Sequence, residues 1–254
     1  MAHAFLLGTE GFVSGDAIPI TDRGFRYGMS VFETIGIRSG VPLLIDFHLG
    51  SLVKAAQAAA FSLPDGWREA TAALFCAPPI AEGVGRVYAT AGDRDGDPSR
   101  IAVLFEEMPI SDRLSSSQAV TVEFVAPTPF GKTGNYWPHF LARPASGDEA
   151  ILCSPNGLVL CGAMANLFLV RDGALVTPEK PVRNGVVRQW VLDGFAADPA
   201  PIRRDELGLV EDAFLTNSRV GIHRLSAIDG RELPGSSLTE AVWRRYRMEV
   251  LRAG

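Results

Sequence analysis

The sequence predicts a mixed α/β (α+β) chain folded as two domains. Runs of β-branched alternation and runs of helical period interleave in both halves. Between Pro109 and Ser117 apolar content drops and serines cluster, as at a domain junction. At 254 residues the chain can bury one large core or two modest ones. We therefore expect a smaller N-terminal α/β domain over 1–112 and a larger C-terminal domain over 118–254.

Taken in order, Ala4–Gly8 and Gly11–Val13 read as short strands divided by a turn. Gly24 and Gly28 mark a tight connection before Ser30–Arg38, whose alternation and β-branching predict a strand. The spacing of Phe47, Leu49, Leu52, Val53 and Ala56 predicts an amphipathic helix from Leu44 to about Ala60, and a second helix follows over Trp67–Cys76. Gly85–Thr90 and Arg100–Phe105 read as paired strands, and Ala119–Val125 as another. Beyond the junction we expect a short helix over Phe140–Ala145 and a hairpin of Glu149–Cys153 with Leu158–Cys161. Strand Ala165–Val170 runs to an Arg171-Asp172-Gly173 turn, a helix opens near Gly185, and strand Ala213–Leu215 ends in Thr216-Asn217-Ser218. A basic helix over Trp243–Leu251 closes the chain.

Composition excludes several classes. With 47% hydrophobic and 21% charged residues the chain is that of an ordinary globular protein. A net charge of −5 argues against a general nucleic-acid or anionic-membrane binder, and no apolar run reaches a membrane span. The N-terminus carries no signal-peptide pattern. Three cysteines without metal-ligand spacing point to a reducing cytoplasm, and four scattered histidines give no zinc signature.

Lys54, Lys132 and Lys180 are the only lysines. A desolvated lysine can lose its proton and form a Schiff base, which arginine cannot. Lys54 lies in a polar-spaced helical run and Lys180 in a turn-rich segment, whereas Lys132 follows a strand and precedes Tyr136 and Trp137. Three further stretches suit a phosphorylated cofactor. Asn184-Gly185-Val186-Val187-Arg188 opens a helix, and helix N-termini present N–H groups and positive dipole to phosphate. Thr216-Asn217-Ser218 offers short donors at a strand end, and Ala163-Met164-Ala165-Asn166 lets a flat ring approach the backbone.

The ordered series Asp22-Arg23-Gly24-Phe25-Arg26-Tyr27-Gly28, Val31-Phe32-Glu33-Thr34, His48-Leu49, Gly131-Lys132-Thr133-Gly134-Asn135-Tyr136, Asn166-Leu167-Phe168, Gly185-Val186-Val187-Arg188 and Thr216-Asn217-Ser218 resembles the class-IV, fold-type IV, pyridoxal 5′-phosphate enzymes. These include branched-chain and D-amino-acid aminotransferases and aminodeoxychorismate lyase, and the Lys-Thr-Gly-Asn-Tyr and Thr-Asn-Ser forms are similar to the lyase branch. The resemblance implies that Lys132 holds the cofactor covalently and then moves a proton at the substrate Cα. It implies that Val186, Val187, Thr216, Asn217 and Ser218 surround the phosphate. Arg26, Tyr27 and Phe32 would line the substrate side, and the assembly would be a homodimer.

Two positions depart from the family pattern. Ser51 stands where the His-x-x-Arg motif has its phosphate-binding arginine, replacing a charged contact by at most one neutral hydrogen bond. Cys161, five residues before Asn166, stands where a glutamate pairs with the pyridine nitrogen. A neutral thiol weakens the electron sink, which disfavours transamination more than elimination. The expected activity is elimination of pyruvate from aminodeoxychorismate to give 4-aminobenzoate for folate biosynthesis. A class-IV aminotransferase acting on a small amino acid is the alternative, and a non-catalytic descendant binding a small anion is a third.

Overall fold

The computed structural model describes residues 2–15, 17–125, 132–179 and 181–252; Gly131 and Lys180 lie outside them. The chain forms two compact units. One is Met1–Ile110 with Phe130–Tyr136 and Ala253–Gly254; the other is Ser111–Pro129 with Trp137–Arg252. The segment carrying Lys132 thus belongs with the first unit, although the sequence reading assigned it to the C-terminal domain.

The first unit contains strands β1 (Ala2–Gly8) and β2 (Gly11–Ser14), helix α1 (Arg23–Tyr27), strands β3 (Ser30–Arg38) and β4 (Val41–Pro42), helices α2 (Ile45–Ala58) and α3 (Trp67–Cys76), and strands β5 (Gly83–Thr90) and β6 (Ile101–Glu107). Its antiparallel sheet runs β2-β1-β6-β5-β3-β4. β3 buries Val31, Ile35 and Ile37 in one core with Leu49, Leu52 and Ala56 of α2 and Phe75 of α3. This is the apolar periodicity that made both helices readable from sequence.

The second unit contains β7 (Ser115–Glu123), α4 (Trp137–Leu141), β8 (Glu149–Cys153), β9 (Val159–Gly162), β10 (Asn166–Arg171), β11 (Ala174–Pro178), α5 (Val186–Gly194), β12 (Ala197–Ala200), a 3-10 turn (Arg204–Leu209), β13 (Asp212–Asn217), β14 (Gly221–Ile228), β15 (Arg231–Glu232) and α6 (Ser237–Tyr246), which continues as a π turn to Leu251. The sheet order is β12-β11-β10-β13-β14-β7-β8-β9, with β15 beside β14. Asp172 (φ 51°) and Gly173 (φ 69°) both adopt positive φ between β10 and β11, the two-residue turn that suits a right-twisted hairpin. Among the described residues no helix is long and apolar enough to cross a membrane.

Three expectations shift. The helix placed over Phe140–Ala145 is α4, three residues earlier: Pro138 is tolerated in a first turn, whereas Pro144 bars the helix from running on. The serine cluster is not all connection, because β7 begins at Ser115, where Ser115 and Ser117 hydroxyls lie 2.7 Å from the two ring nitrogens of His223 on β14. The terminal helix starts at Ser237 rather than Trp243, capped by the Ser236 hydroxyl, which accepts from the Leu238 amide.

Candidate active site

In the first unit, Lys132 is held against β3 by backbone pairing. The Phe32 amide donates to the Lys132 carbonyl at 2.9 Å, and the Gly134 amide to the Ser30 carbonyl at 2.8 Å. A side chain at Gly134 would crowd the Ser30 hydroxyl and the Gly28 carbonyl. This pairing brings Lys132 Nζ to 3.2 Å from Thr34 Oγ1, to which it donates, and 5.0 Å above the centre of the Phe32 ring. Phe32 in turn stacks on Tyr88 (5.5 Å) and meets Tyr136 edge-on (5.4 Å). Of the residues expected on the substrate side, Phe32 is thus brought to Lys132. Arg26 and Tyr27 sit exposed on α1, the guanidinium 4.7 Å from the Tyr27 ring centre. Asp22 anchors this short helix: fully buried, it accepts from the Gly24 amide (2.6 Å), Thr90 Oγ1 (2.8 Å) and Arg100 Nη1 (2.6 Å).

Ser51 is placed differently. Its hydroxyl donates to Glu33 Oε1 at 2.9 Å, while His48 Nδ1 lies 2.8 Å from Glu33 Oε2. Because strand side chains alternate, Glu33 points to the α2 face of β3, away from Phe32 and Thr34.

In the second unit, Asn166 and Thr216 are register partners on β10 and β13. Asn166 donates from Nδ2 to the Arg183 carbonyl (2.6 Å) and accepts the Gly185 amide on Oδ1 (3.1 Å), which fixes the loop entering α5. A side chain at Gly185 would strike that same Asn166 oxygen. The first amides of α5, at Val186 and Val187, have no intrahelical acceptor, and Gly185 at the cap supplies no side-chain acceptor. Arg188 is buried within the first turn and donates to neutral oxygens: Thr177 Oγ1 (3.3 Å), Asn184 Oδ1 (2.8 Å) and the Pro178 carbonyl (3.1 Å). Burial lowers its pKa. Thr216 Oγ1 is buried and has no hydrogen-bond partner among the described residues. Asn217 Oδ1 accepts the Arg219 and Val220 amides at 2.9 Å, closing the turn in which half-buried Ser218 sits. Cys161 packs beside Phe124 and Leu152, and burial pushes its thiol up to about 11 against the opposing pull of Arg183. At neutral pH it is a protonated, uncharged thiol.

Residues 30–228 match the family Amino-transferase class IV. The chain belongs to the class IV aminotransferases. It is 33% identical over 98 residues to a branched-chain-amino-acid aminotransferase of Pseudomonas aeruginosa, a match over 36% of this chain and only 32% of that protein. It is 26% identical over 250 residues to a bifunctional aminodeoxychorismate lyase / D-amino acid transaminase of Mycobacterium tuberculosis, over 84% of this chain and 86% of the relative. A fold IV-transaminase from Curtobacterium pusillum superposes with a TM-score of 0.81 at 24% identity, over 97% of each chain, which establishes the shared fold.

The family uses pyridoxal 5′-phosphate. This class IV aminotransferase has groups suited to that cofactor: a primary amine at Lys132, helix-start amides at Val186 and Val187 without an intrahelical acceptor, and a buried Thr216 hydroxyl that has no partner among the described residues. Neither Ser51, engaged by Glu33, nor Cys161, uncharged, adds charge to the set. Thr34 and Glu33 were legible as parts of a motif but not as contacts; β-alternation through Phe32-Glu33-Thr34 was the signal that sorts them onto opposite faces.

Proposed function

We propose that this chain is a pyridoxal-phosphate lyase of the aminodeoxychorismate lyase type, releasing pyruvate to leave 4-aminobenzoate for folate biosynthesis. The carrying observation is the Thr34 hydroxyl 3.2 Å from the Lys132 amine. Elimination needs two proton movements: one off the carbon bearing the amino group, one onto the departing oxygen. Lys132 serves the first. Thr34, hydrogen-bonded to it, passes a proton toward the leaving oxygen as the carbon–oxygen bond breaks and its electron pair departs with that oxygen. Transamination returns its proton to the cofactor-bound framework through the lysine alone and has no use for the hydroxyl.

In this reading the cofactor, when bound, supplies electron withdrawal from the carbon that loses its proton. Val186 and Val187 amides with Thr216, Asn217 and Ser218 receive its phosphate, Asn166 holds the loop that presents those amides, and Cys161 faces the ring as a neutral group. That neutrality favours elimination, where the leaving group itself carries electrons away. Phe32, Tyr27 and Arg26 line the substrate side. We place the enzyme in the cytoplasm as a homodimer, which light scattering on the purified protein checks.

The test is an absorption titration with pyridoxal phosphate, followed by pyruvate assays on aminodeoxychorismate without added keto acid. The wild type should develop a cofactor band that Lys132→Ala lacks. Thr34→Val should keep the band and lose at least about tenfold in pyruvate release, as for removal of a proton-transfer group. A Thr34→Val enzyme with undiminished release would sink the lyase reading; amino transfer to an added keto acid, without pyruvate release, would establish the aminotransferase alternative.

A further inference from the structure

We infer that Glu33 is a positioning residue for Lys132, fixing from the opposite face of β3 two side chains that lie against the lysine, Phe32 and Thr34. The inference deepens the functional reading and rests on it in one respect, that Lys132 is the reactive amine.

Phe32 and Thr34 approach Lys132 Nζ at 5.0 Å and 3.2 Å. Between them in sequence, Glu33 turns toward α2 and is 3% exposed. Each of its oxygens meets a different group of that helix: Oε2 meets His48 Nδ1 at 2.8 Å, and Oε1 accepts from Ser51 Oγ at 2.9 Å. His48 and Ser51 are three residues apart, so they lie on one helix face and grip the carboxylate together. Around this pair β3 and α2 also pack through Ile35, Leu49 and Leu52, and apolar packing is non-directional. Backbone pairing with β5 from Ser30 to Ile37, and with the Lys132 segment at Ser30 and Phe32, fixes the strand's register. The carboxylate adds the directional restraint on its tilt, and tilt decides whether Thr34 Oγ1 stays within reach of the amine.

Ser51 has a defined part in this. A hydroxyl on the third residue after His48 is short enough to close on Glu33, so the position serves the carboxylate. Its loss should therefore act on Lys132 through β3.

The test uses cofactor-free full-length protein and exploits its three lysines. Reductive methylation is followed by peptide mass spectrometry, and the rate at Lys132 is divided by the rate at exposed Lys54. Glu33→Ala should raise this ratio about threefold or more by local loosening. Glu33→Gln, which keeps an acceptor oxygen and places an amide at the second position, should stay near the wild-type ratio, and Ser51→Ala should fall between. A merely structural defect would broaden thermal melting without selecting one lysine. A cooperatively melting Glu33→Ala protein with the wild-type ratio overturns the proposal. Should that variant not fold, an unchanged ratio in Ser51→Ala overturns it equally. Cofactor titration of the same proteins is read separately: a shifted lysine ratio with no cofactor band in the wild type would retain the positioning role and remove the catalytic reading.

Discussion

Thr216 carries a buried hydroxyl, 1% exposed, that has no hydrogen-bond partner among the described residues. An unpaired buried polar group is destabilising, and replacing it by an isosteric apolar group removes that cost. Thr216→Val should hold or raise stability, by up to about 1–3 kcal/mol in a urea melt. The same variant should weaken pyridoxal-phosphate binding by roughly tenfold, the effect of about 1.4 kcal/mol. Stability and affinity moving in opposite directions would mark a hydroxyl kept for a ligand; both falling together would mark a structural one. Single residues of this kind were only partly legible in the sequence. Thr216-Asn217-Ser218 stood out as short donors at a strand end, but only the fold reveals which hydroxyl lacks a partner. Ser51 could be identified as a missing arginine and not as a donor to Glu33, because that contact depends on how α2 is turned against β3.

At the scale of elements, α1 is five residues long and buries none of its own side chains. A helix so short has no cooperative stability of its own. It persists through Asp22, which caps its first turn and ties it to Thr90 and Arg100. Asp22→Ala should cost about 3 kcal/mol, the lower end for breaking a buried ion pair, since Arg100 is a third exposed and retains Asp93. Urea unfolding gives the cost, and proteolysis should cut first next to exposed Phe25 and Tyr27. The amphipathic helices α2 and α3 were readable because their apolar residues recur at helical spacing. Boundaries set by single polar contacts were not: the Ser236 cap begins α6 six residues early, and two serines paired with His223 turn a linker-like stretch into the start of β7.

Across the whole molecule, pH acts through histidines whose charging is opposed by the fold. Burial lowers the pKa of His139 and His223 below the ordinary 6.5; Arg183 adds to the effect at His139, while Glu149 works against it at His223. A group with a lowered folded pKa binds more protons unfolded than folded. Its stabilisation is complete above 6.5 and disappears as pH falls through the folded value. The urea midpoint should therefore drop between pH 7.5 and pH 5, and replacing both histidines by glutamine should flatten that drop. The mixed α/β class was visible in the sequence because period-two and period-3.6 runs alternate throughout. The order of strands in the nine-stranded sheet was not, since β14 pairs with β7, more than a hundred residues earlier in the chain.

The excursion of Phe130–Tyr136 into the first unit has a consequence for how this protein is made. A ribosome that has emitted residues 1–110 has not yet delivered the short segment that bridges to the start of β3 at Val31, nor the amine. That segment arrives only after β7, which belongs to the other unit, has already emerged. A gene cut at residue 111 would give a front fragment without its lysine and a rear fragment with an unattached loop. Functional halves, if engineered, need their break placed after Tyr136.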